Sequence, residues 1–313
     1  MKISLDPVAD MLALPLARLR LDFAAAANLE AENLRGSAWR GALGHALWAL
    51  CCRTREPQCT ACIGQQPCDY RKWFESPRPA EADRLRGQEQ VLNGFVLARA
   101  RQEAQKASLE LRLYGEAVNR AELFLRGLRR AGEFGLGARH LRLECQSIWQ
   151  ATQPDQAEWR EVIQAIAPNL PLRPAQWKGP VRVEFLSPVR LQKYGRPLPP
   201  SQFTFLELFR NLIRRVSNLA YFYGNLDLHL DFAGLLNLAA AVPRMTLRMQ
   251  PEVSERYSTR QKRGMRLDAL SGWAQFGLDS DSPLWPWLWL GQMTLVGRST
   301  SMGFGEYELS PGS

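Results

Sequence analysis

Hydrophobic and polar positions alternate over residues 16–23. Leu19, Leu21 and Phe23 fall on one face, Arg18, Arg20 and Asp22 on the other. A period of two is that of a half-buried strand. A polar loop follows, and Ser37 is a suitable N-cap for a helix over 38–51. Trp39, Leu43, Leu47 and Leu50 recur every three or four residues and form the core face of that helix. Residues 76–108 are charged and helix-compatible, with room for one strand before Leu109. Leu109, Leu111 and Leu113 alternate with Glu110 and Arg112 in a further strand that ends at Gly115. Residues 119–131 read as a helix with Phe124, Leu125 and Leu128 inward and Arg126, Arg129 and Arg130 outward. Gly132 ends it, and a strand over 140–145 follows a glycine-rich turn. The order strand, helix, strand, strand, helix, strand is that of a ferredoxin-like unit.

Prolines at 154, 168, 171, 174 and 180 mark 151–180 as a linker, with room for a short helix over 157–166. The second half repeats the first pattern. It opens with a strand from Val181, continues with an amphipathic helix over 204–223 carrying Arg210, Arg214 and Arg215, and adds a helix over 232–241. Strands over 245–249 and 270–278 and an apolar helix over 283–295 complete it. The fold class is therefore α+β: two tandem ferredoxin-like domains, residues 1–150 and 181–313, the first with a cysteine-rich insertion at 51–75.

Two glycine-rich joints lie at matched places. One is Gly132-Glu-Phe-Gly-Leu-Gly, the other Gly297-Arg-Ser-Thr-Ser-Met-Gly-Phe-Gly305. Glycines allow positive φ and close approach of a phosphate, and Arg298 and Ser299 could donate to one. Tight turns that end helices would also explain both joints.

Composition sharpens this picture. The chain has 313 residues, 40 Lys plus Arg against 31 Asp plus Glu, and a net charge of +9. Only six of the basic residues are lysine. Arginine suits planar, bidentate phosphate contacts, although a codon bias would give the same excess. A polyanionic partner follows from the charge. The stretch Arg256-Tyr-Ser-Thr-Arg-Gln-Lys-Arg-Gly-Met-Arg266 is the most basic. Arg256, Arg260, Lys262, Arg263 and Arg266 are its candidate phosphate contacts, with Tyr257 placed to stack on a base. Gly297, Arg298, Ser299, Gly303 and Gly305 come next, then Arg126, Arg129 and Arg130. No apolar run reaches membrane-spanning length and no signal peptide is evident, so a cytoplasmic protein without a membrane partner is expected.

Five of six cysteines fall within 51–68. Cys52, Cys59, Cys62 and Cys68 have the spacing C-x6-C-x2-C-x5-C, and four thiolates can close a tetrahedral zinc shell. Such a zinc would be structural, because four sulfurs leave no open position. A run of reduced cysteines without metal is the other reading.

Several stretches together resemble a known family. They include Leu34-Arg-Gly-Ser-Ala-Trp-Arg-Gly-Ala-Leu-Gly-His-Ala-Leu47, the cysteine cluster with Cys68-Asp-Tyr and Trp73-Phe-Glu, and Phe185-Leu-Ser-Pro-Val-Arg-Leu191. Leu212-Ile-Arg-Arg-Val-Ser217, Arg256-Tyr-Ser-Thr-Arg-Gln261, Leu270-Ser-Gly-Trp273 and the final glycine loop complete the set. The chain resembles the CRISPR precursor-crRNA-processing endoribonucleases of the RAMP superfamily, and its arginine bias points to the type IV branch. The resemblance implies binding of a CRISPR repeat RNA, one cut in it without a metal in the active site, retention of the crRNA and association with effector-complex subunits. Catalysis of this kind needs a base for the 2′-hydroxyl, an acid for the 5′ oxygen and cations for the phosphorane charge. His45, on the first helix, is where the family commonly keeps its histidine. Arg35 and Arg40 flank the same helix start and compete with it as a site that stabilises charge. A non-catalytic RAMP subunit that only binds crRNA would share fold, loops and charge. A zinc-stabilised RNA-binding protein outside CRISPR is a third reading.

Overall fold

The computed structural model describes all residues except 1, 4–5, 27, 30–33, 55–58, 60–61, 63–67, 138, 154–157, 163–165, 167–172, 259–262 and 313. The side chains of 2–3, 99, 255–258 and 263–265 are likewise outside the description. The chain divides into two compact units. One comprises Pro15–Thr152 and Glu158–Pro168, the other Met1–Leu14, Gln153–Ala157 and Asn169–Ser313. The first fourteen residues thus group with the C-terminal half. The reason is local: β1 (Lys2–Ile3) pairs in parallel with β10 (Leu226–Asp227). The intervening α1 (Pro7–Leu12) is capped by the Asp6 carboxylate, which accepts from the Ala9 amide.

The unit that starts at Pro15 contains β2 (Leu16–Ala25), α2 (Gly36–Cys51), β3 (Phe95–Glu103), β4 (Lys106–Tyr114), α3 (Ala121–Phe134), β5 (Leu143–Ala151) and β6 (Trp159–Glu161). Its antiparallel sheet runs β3-β4-β2-β5-β6. The first four strands have ferredoxin-like order, with β2 central. Leu19, Leu21 and Phe23 are fully or almost fully buried, as their alternation requires. Each such side chain contributes about 1.5–3 kcal/mol when withdrawn from water. Trp39, Leu43 and Leu47 of α2 and Phe124, Leu125 and Leu128 of α3 close the same core. Ring centroids lie 4.9 Å apart for Phe23–Trp39 and 5.1 Å for Phe95–Phe124. A β-carbon at Gly127 would stand 2.9 Å from methyls of Leu43 and Leu47, so glycine lets α3 settle tightly against α2.

Four local expectations change. The helix-compatible 76–108 region holds no helix, while the strand allowed for before Leu109 is present as β3, which forms a hairpin with β4 through Ala104, whose φ is 49°. Arg35, not Ser37, is the N-cap of α2, and its side chain makes no capping bond. The helix α3 runs through Gly132 to Phe134; glycine stands at 132 inside the helix because a β-carbon there would lie 2.6 Å from the Leu143 carbonyl oxygen. Trp159–Glu161, expected within a linker helix, form an edge strand on β5. Cation–π contacts with Arg18 (4.9 Å) and Arg20 (5.0 Å) hold the Trp159 ring there.

The second unit contains β7 (Val181–Val189), β8 (Gln192–Lys193), β9 (Arg196–Pro197), α4 (Phe205–Tyr223), β10, α5 (Phe232–Ala241), β11 (Arg244–Ser258), β12 (Arg263–Phe276), α6 (Trp285–Thr294) and β13 (Tyr307–Pro311). Its sheet runs β11-β12-β7-β13, all antiparallel, so the ferredoxin-like order recurs. The helix α4 starts at Thr204, whose hydroxyl accepts from the Glu207 amide. Its apolar face packs on the sheet through Phe205 and Phe209, and Phe205 meets Phe276 edge-on at 5.2 Å. The Tyr307 hydroxyl donates to the Leu288 carbonyl at 2.6 Å and ties α6 to β13. Among the described residues no helix is long and apolar enough to cross a membrane.

Candidate nucleic-acid interface

The final glycine-rich loop follows α6 and folds against the end of β7. The Arg298 amide donates to the Arg190 carbonyl, the Val296 amide to Gly305 and the Gly305 amide to Pro188, each at 2.9 Å. Gly297, Gly303 and Gly305 all have positive φ, between 80° and 87°. A β-carbon at Gly297 would lie 2.5 Å from the Arg190 carbonyl oxygen, and one at Gly305 1.8 Å from that of Val296. The loop's own packing thus demands both glycines, whatever it binds.

The side chains around this loop are basic. Arg190 donates from Nη1 to Ser299 Oγ at 2.5 Å and from Nε to the Asp268 carbonyl at 3.2 Å. Arg298 donates to Gln192 Oε1 at 2.8 Å. Two guanidinium groups, those of Arg190 and Arg298, are thus held at the loop, an arrangement suited to a polyanion. Arg214, on α4, has its pKa lowered, by desolvation first and then by the like charge of Arg298. Sequence reasoning does not single out Arg190 or Arg214. Arg214 reads as an ordinary helix-surface charge, and only the fold carries Arg190 to Ser299. The neighbouring Arg215 serves the fold instead: it is buried, and its Nε donates to the Thr294 carbonyl at 2.6 Å.

The described part of the most basic stretch lies at the end of β11 and the start of β12. Arg256 pairs in register with Met265, Tyr257 with Gly264 and Arg266 with Glu255. Arg263 begins β12, while Arg260 and Lys262 lie outside the described residues. Arg266 is exposed and ion-paired to Asp268 at 2.9 Å.

On α2 the three candidates separate. Arg35 and His45 are exposed. The Arg40 guanidinium carbon lies 4.5 Å from the centre of the Phe74 ring. Gly44, one turn on, is covered by the same ring. His45 sits about 100° further round the helix, clear of that contact. Arg126, Arg129 and Arg130 are exposed along α3, Arg130 stacking on Phe134 at 5.0 Å. His140 adopts a turn with φ 48° and His229 is exposed.

The cysteines are gathered but do not form a metal shell as they stand. Among the described residues no group of three or more His, Cys, Asp or Glu side chains is arranged to hold a metal ion. Cys52, Cys59, Cys62 and Cys68 are half-buried thiols, none of them in a disulfide. They do share one neighbourhood. Thr54 Oγ1 lies 3.3 Å from Cys62 Sγ and 3.9 Å from Cys52 Sγ. The Cys59 thiol is pushed up by burial first, then by Glu75 and by Cys68, Cys52 and Cys62. The segment is anchored by a short π-helical turn, Tyr70–Glu75, whose Trp73 and Phe74 are buried.

Two α+β units with the same order of four strands, each with a helix, a glycine-rich joint and a fourth strand, define a tandem ferredoxin-like protein. Comparison with known proteins agrees. Residues 183–307 match the family model of the CRISPR-associated endoribonuclease Cas6, and residues 14–174 match the N-terminal domain model AF_1859_N. No curated protein matches. A solved structure described as a Cas6 (TTHB231) product complex is 15% identical, with a TM-score of 0.57, covering 95% of this chain and 100% of that one. A Cas6 (TTHA0078) product complex gives 16% identity, a TM-score of 0.50 and the same coverage. A partial Cas6-RT-Cas1–Cas2 complex gives 14% and 0.53, over 95% of this chain and 46% of that one. Residues 14–174, just over half of the chain, thus belong to the AF_1859_N N-terminal domain family, residues 183–307 are similar to the Cas6 endoribonucleases, and the solved structures share the fold.

Proposed function

We propose that the protein binds CRISPR repeat RNA and cuts precursor crRNA once per repeat, without a metal in the active site. The observation that carries this reading is the match of residues 183–307 to an endoribonuclease family, a span that includes the arginine-lined glycine loop. The 2′-hydroxyl oxygen attacks the adjacent phosphorus and the bond to the 5′ oxygen breaks. The products carry a 2′,3′-cyclic phosphate and a 5′-hydroxyl. His45 takes or gives the proton, a role for which imidazole is suited near neutral pH. Exposure on α2 leaves it accessible to a substrate. Arg35 and Arg40 stabilise phosphorane charge; neither carries protons, since a guanidinium stays protonated.

Arg298, Ser299, Gly297, Gly303 and Gly305 hold phosphates with Arg190 and Arg214. The hairpin residues Arg256, Tyr257, Arg260, Lys262, Arg263 and Arg266 grip a second part of the RNA, and Arg126, Arg129 and Arg130 a third. The product stays bound and is handed to effector-complex subunits. The arginine-rich composition supports placement in the type IV branch. A zinc ion closed by Cys52, Cys59, Cys62 and Cys68 steadies the insertion; the cysteine spacing supports it.

The test is incubation of the host's repeat RNA with purified protein in EDTA, followed by end-group analysis. One cut leaving a cyclic phosphate supports the reading. Tight binding without a cut assigns the chain to the non-catalytic subunits.

A further inference from the structure

The short β8–β9 hairpin carries a tyrosine that the fold does not use. Lys193 pairs with Arg196, and the two-residue turn between them is Tyr194-Gly195. Both turn residues have positive φ, 50° and 78°. Such a turn favours asparagine or glycine at its first position, because a bulky side chain is strained in the left-handed region. Tyr194 is nevertheless there, and it is 91% exposed. Neither turn chemistry nor packing accounts for it.

The hairpin is short but well anchored. The Asn211 side chain on α4 accepts from the Gln192 amide at 3.3 Å and donates to its carbonyl at 3.2 Å. Lys193 pairs with Glu207 at 3.2 Å. Gln192 also receives the hydrogen bond from Arg298 of the glycine loop. An aromatic ring is therefore held out to solvent on a fixed support, two residues from the contact with Arg298. Arg196, beside it, is exposed and basic.

We infer that Tyr194 is a stacking platform for an unpaired base of the bound RNA, next to the phosphates held at the glycine loop. This rests on the RNA-binding reading above. A tyrosine face stacks on any base, and the anchored hairpin fixes the backbone from which the ring projects, so only the two side-chain torsions of Tyr194 are ordered on binding.

The experiment measures binding of host repeat RNA carrying 2-aminopurine at one unpaired position at a time, with the cleavage-site 2′-hydroxyl replaced by hydrogen. Wild type, Tyr194→Phe and Tyr194→Ala are compared at several salt concentrations. Removing one stack weakens binding about five- to a hundredfold. Expected are such a loss in Tyr194→Ala, near-wild-type affinity in Tyr194→Phe, and quenching at one position that only Tyr194→Ala abolishes. The salt slope stays unchanged, because no cation is removed. Unaltered affinity of Tyr194→Ala overturns the inference while leaving RNA binding intact. Equal loss in both variants overturns it too, by making the hydroxyl the contact. Failure of wild type to bind removes both the inference and the reading beneath it. With its side chain in solvent, Tyr194→Ala should melt as wild type does, which separates lost stacking from lost fold.

Discussion

The amide of Arg298 donates to the carbonyl of Arg190 at 2.9 Å, and the two side chains leave that contact toward Gln192 and Ser299. One backbone bond thus joins the two arginines, and Ser299 and Gln192 hold their guanidinium groups. If these groups hold phosphates, Arg298→Ala should weaken binding of repeat RNA uniformly across sequences. It should also lower the slope of log K against log salt by roughly one phosphate contact. Salt-dependent binding isotherms for the two proteins check this.

The loop's glycines give a prediction about stability. Gly305→Ala places a methyl group 1.8 Å from the Val296 carbonyl oxygen at a φ of 80°. A backbone neighbour cannot swing aside, so a loss of about 2–4 kcal/mol is expected from strained φ and overpacking together. Gly41, in α2, has no atom within 4 Å of its virtual β-carbon. There alanine should stabilise by about 0.5–1 kcal/mol, since it removes a mid-helix glycine. Urea unfolding of both variants measures the contrast.

If the chain cuts RNA as proposed, the rate of cleavage separates the candidates on α2. His45→Ala should lower the single-turnover cleavage rate by about 10²–10⁴-fold. Because the side chain is exposed, its effect on stability should stay within about 0.5 kcal/mol. Arg40 also packs on Phe74, so Arg40→Met, which retains part of the apolar stem, is the informative variant. Cleavage that survives in His45→Ala and fails in Arg40→Met would move the chemistry to arginine.

Glu110 supports the first sheet from within. Its carboxylate accepts from Arg18 at 2.8 and 3.0 Å and from Arg112 at 3.4 Å, and Arg112 is only 2% exposed. Glu110→Ala takes this carboxylate from a buried guanidinium. A cost of about 3–5 kcal/mol follows, the usual penalty for removing one partner of a buried pair. Thermal melts at neutral pH would show it as an early transition.

Zinc makes a separate claim. If the four cysteines hold it, elemental analysis should give one equivalent, and chelation should lower the melting temperature without abolishing cleavage. An unchanged melt and no bound metal would remove the zinc from the account.

Much of the fold is legible because burial imposes its period on the sequence. The Leu19, Leu21, Phe23 alternation gives β2, and the spacing of Trp39, Leu43 and Leu47 gives the buried face of α2. The region before Leu109 is obscure because polar residues such as Arg101, Gln102 and Glu103 lie within β3 and dilute its alternation. Gly132 reads as a helix stop because glycine is favoured there, but what selects it is the close approach of Leu143, a contact made across the fold.

The sequence by itself determined the two ferredoxin-like repeats, the glycine-rich joints and the basic character, since each follows from local periodicity, backbone permissiveness or net charge. Only the tertiary structure brought Arg190 and Arg298 together at one loop and tied the hairpin that carries Tyr194 to it through Gln192. Those residues lie up to 108 positions apart in the chain. No local pattern links them, and their meeting depends on how β7, α4 and the final loop pack together.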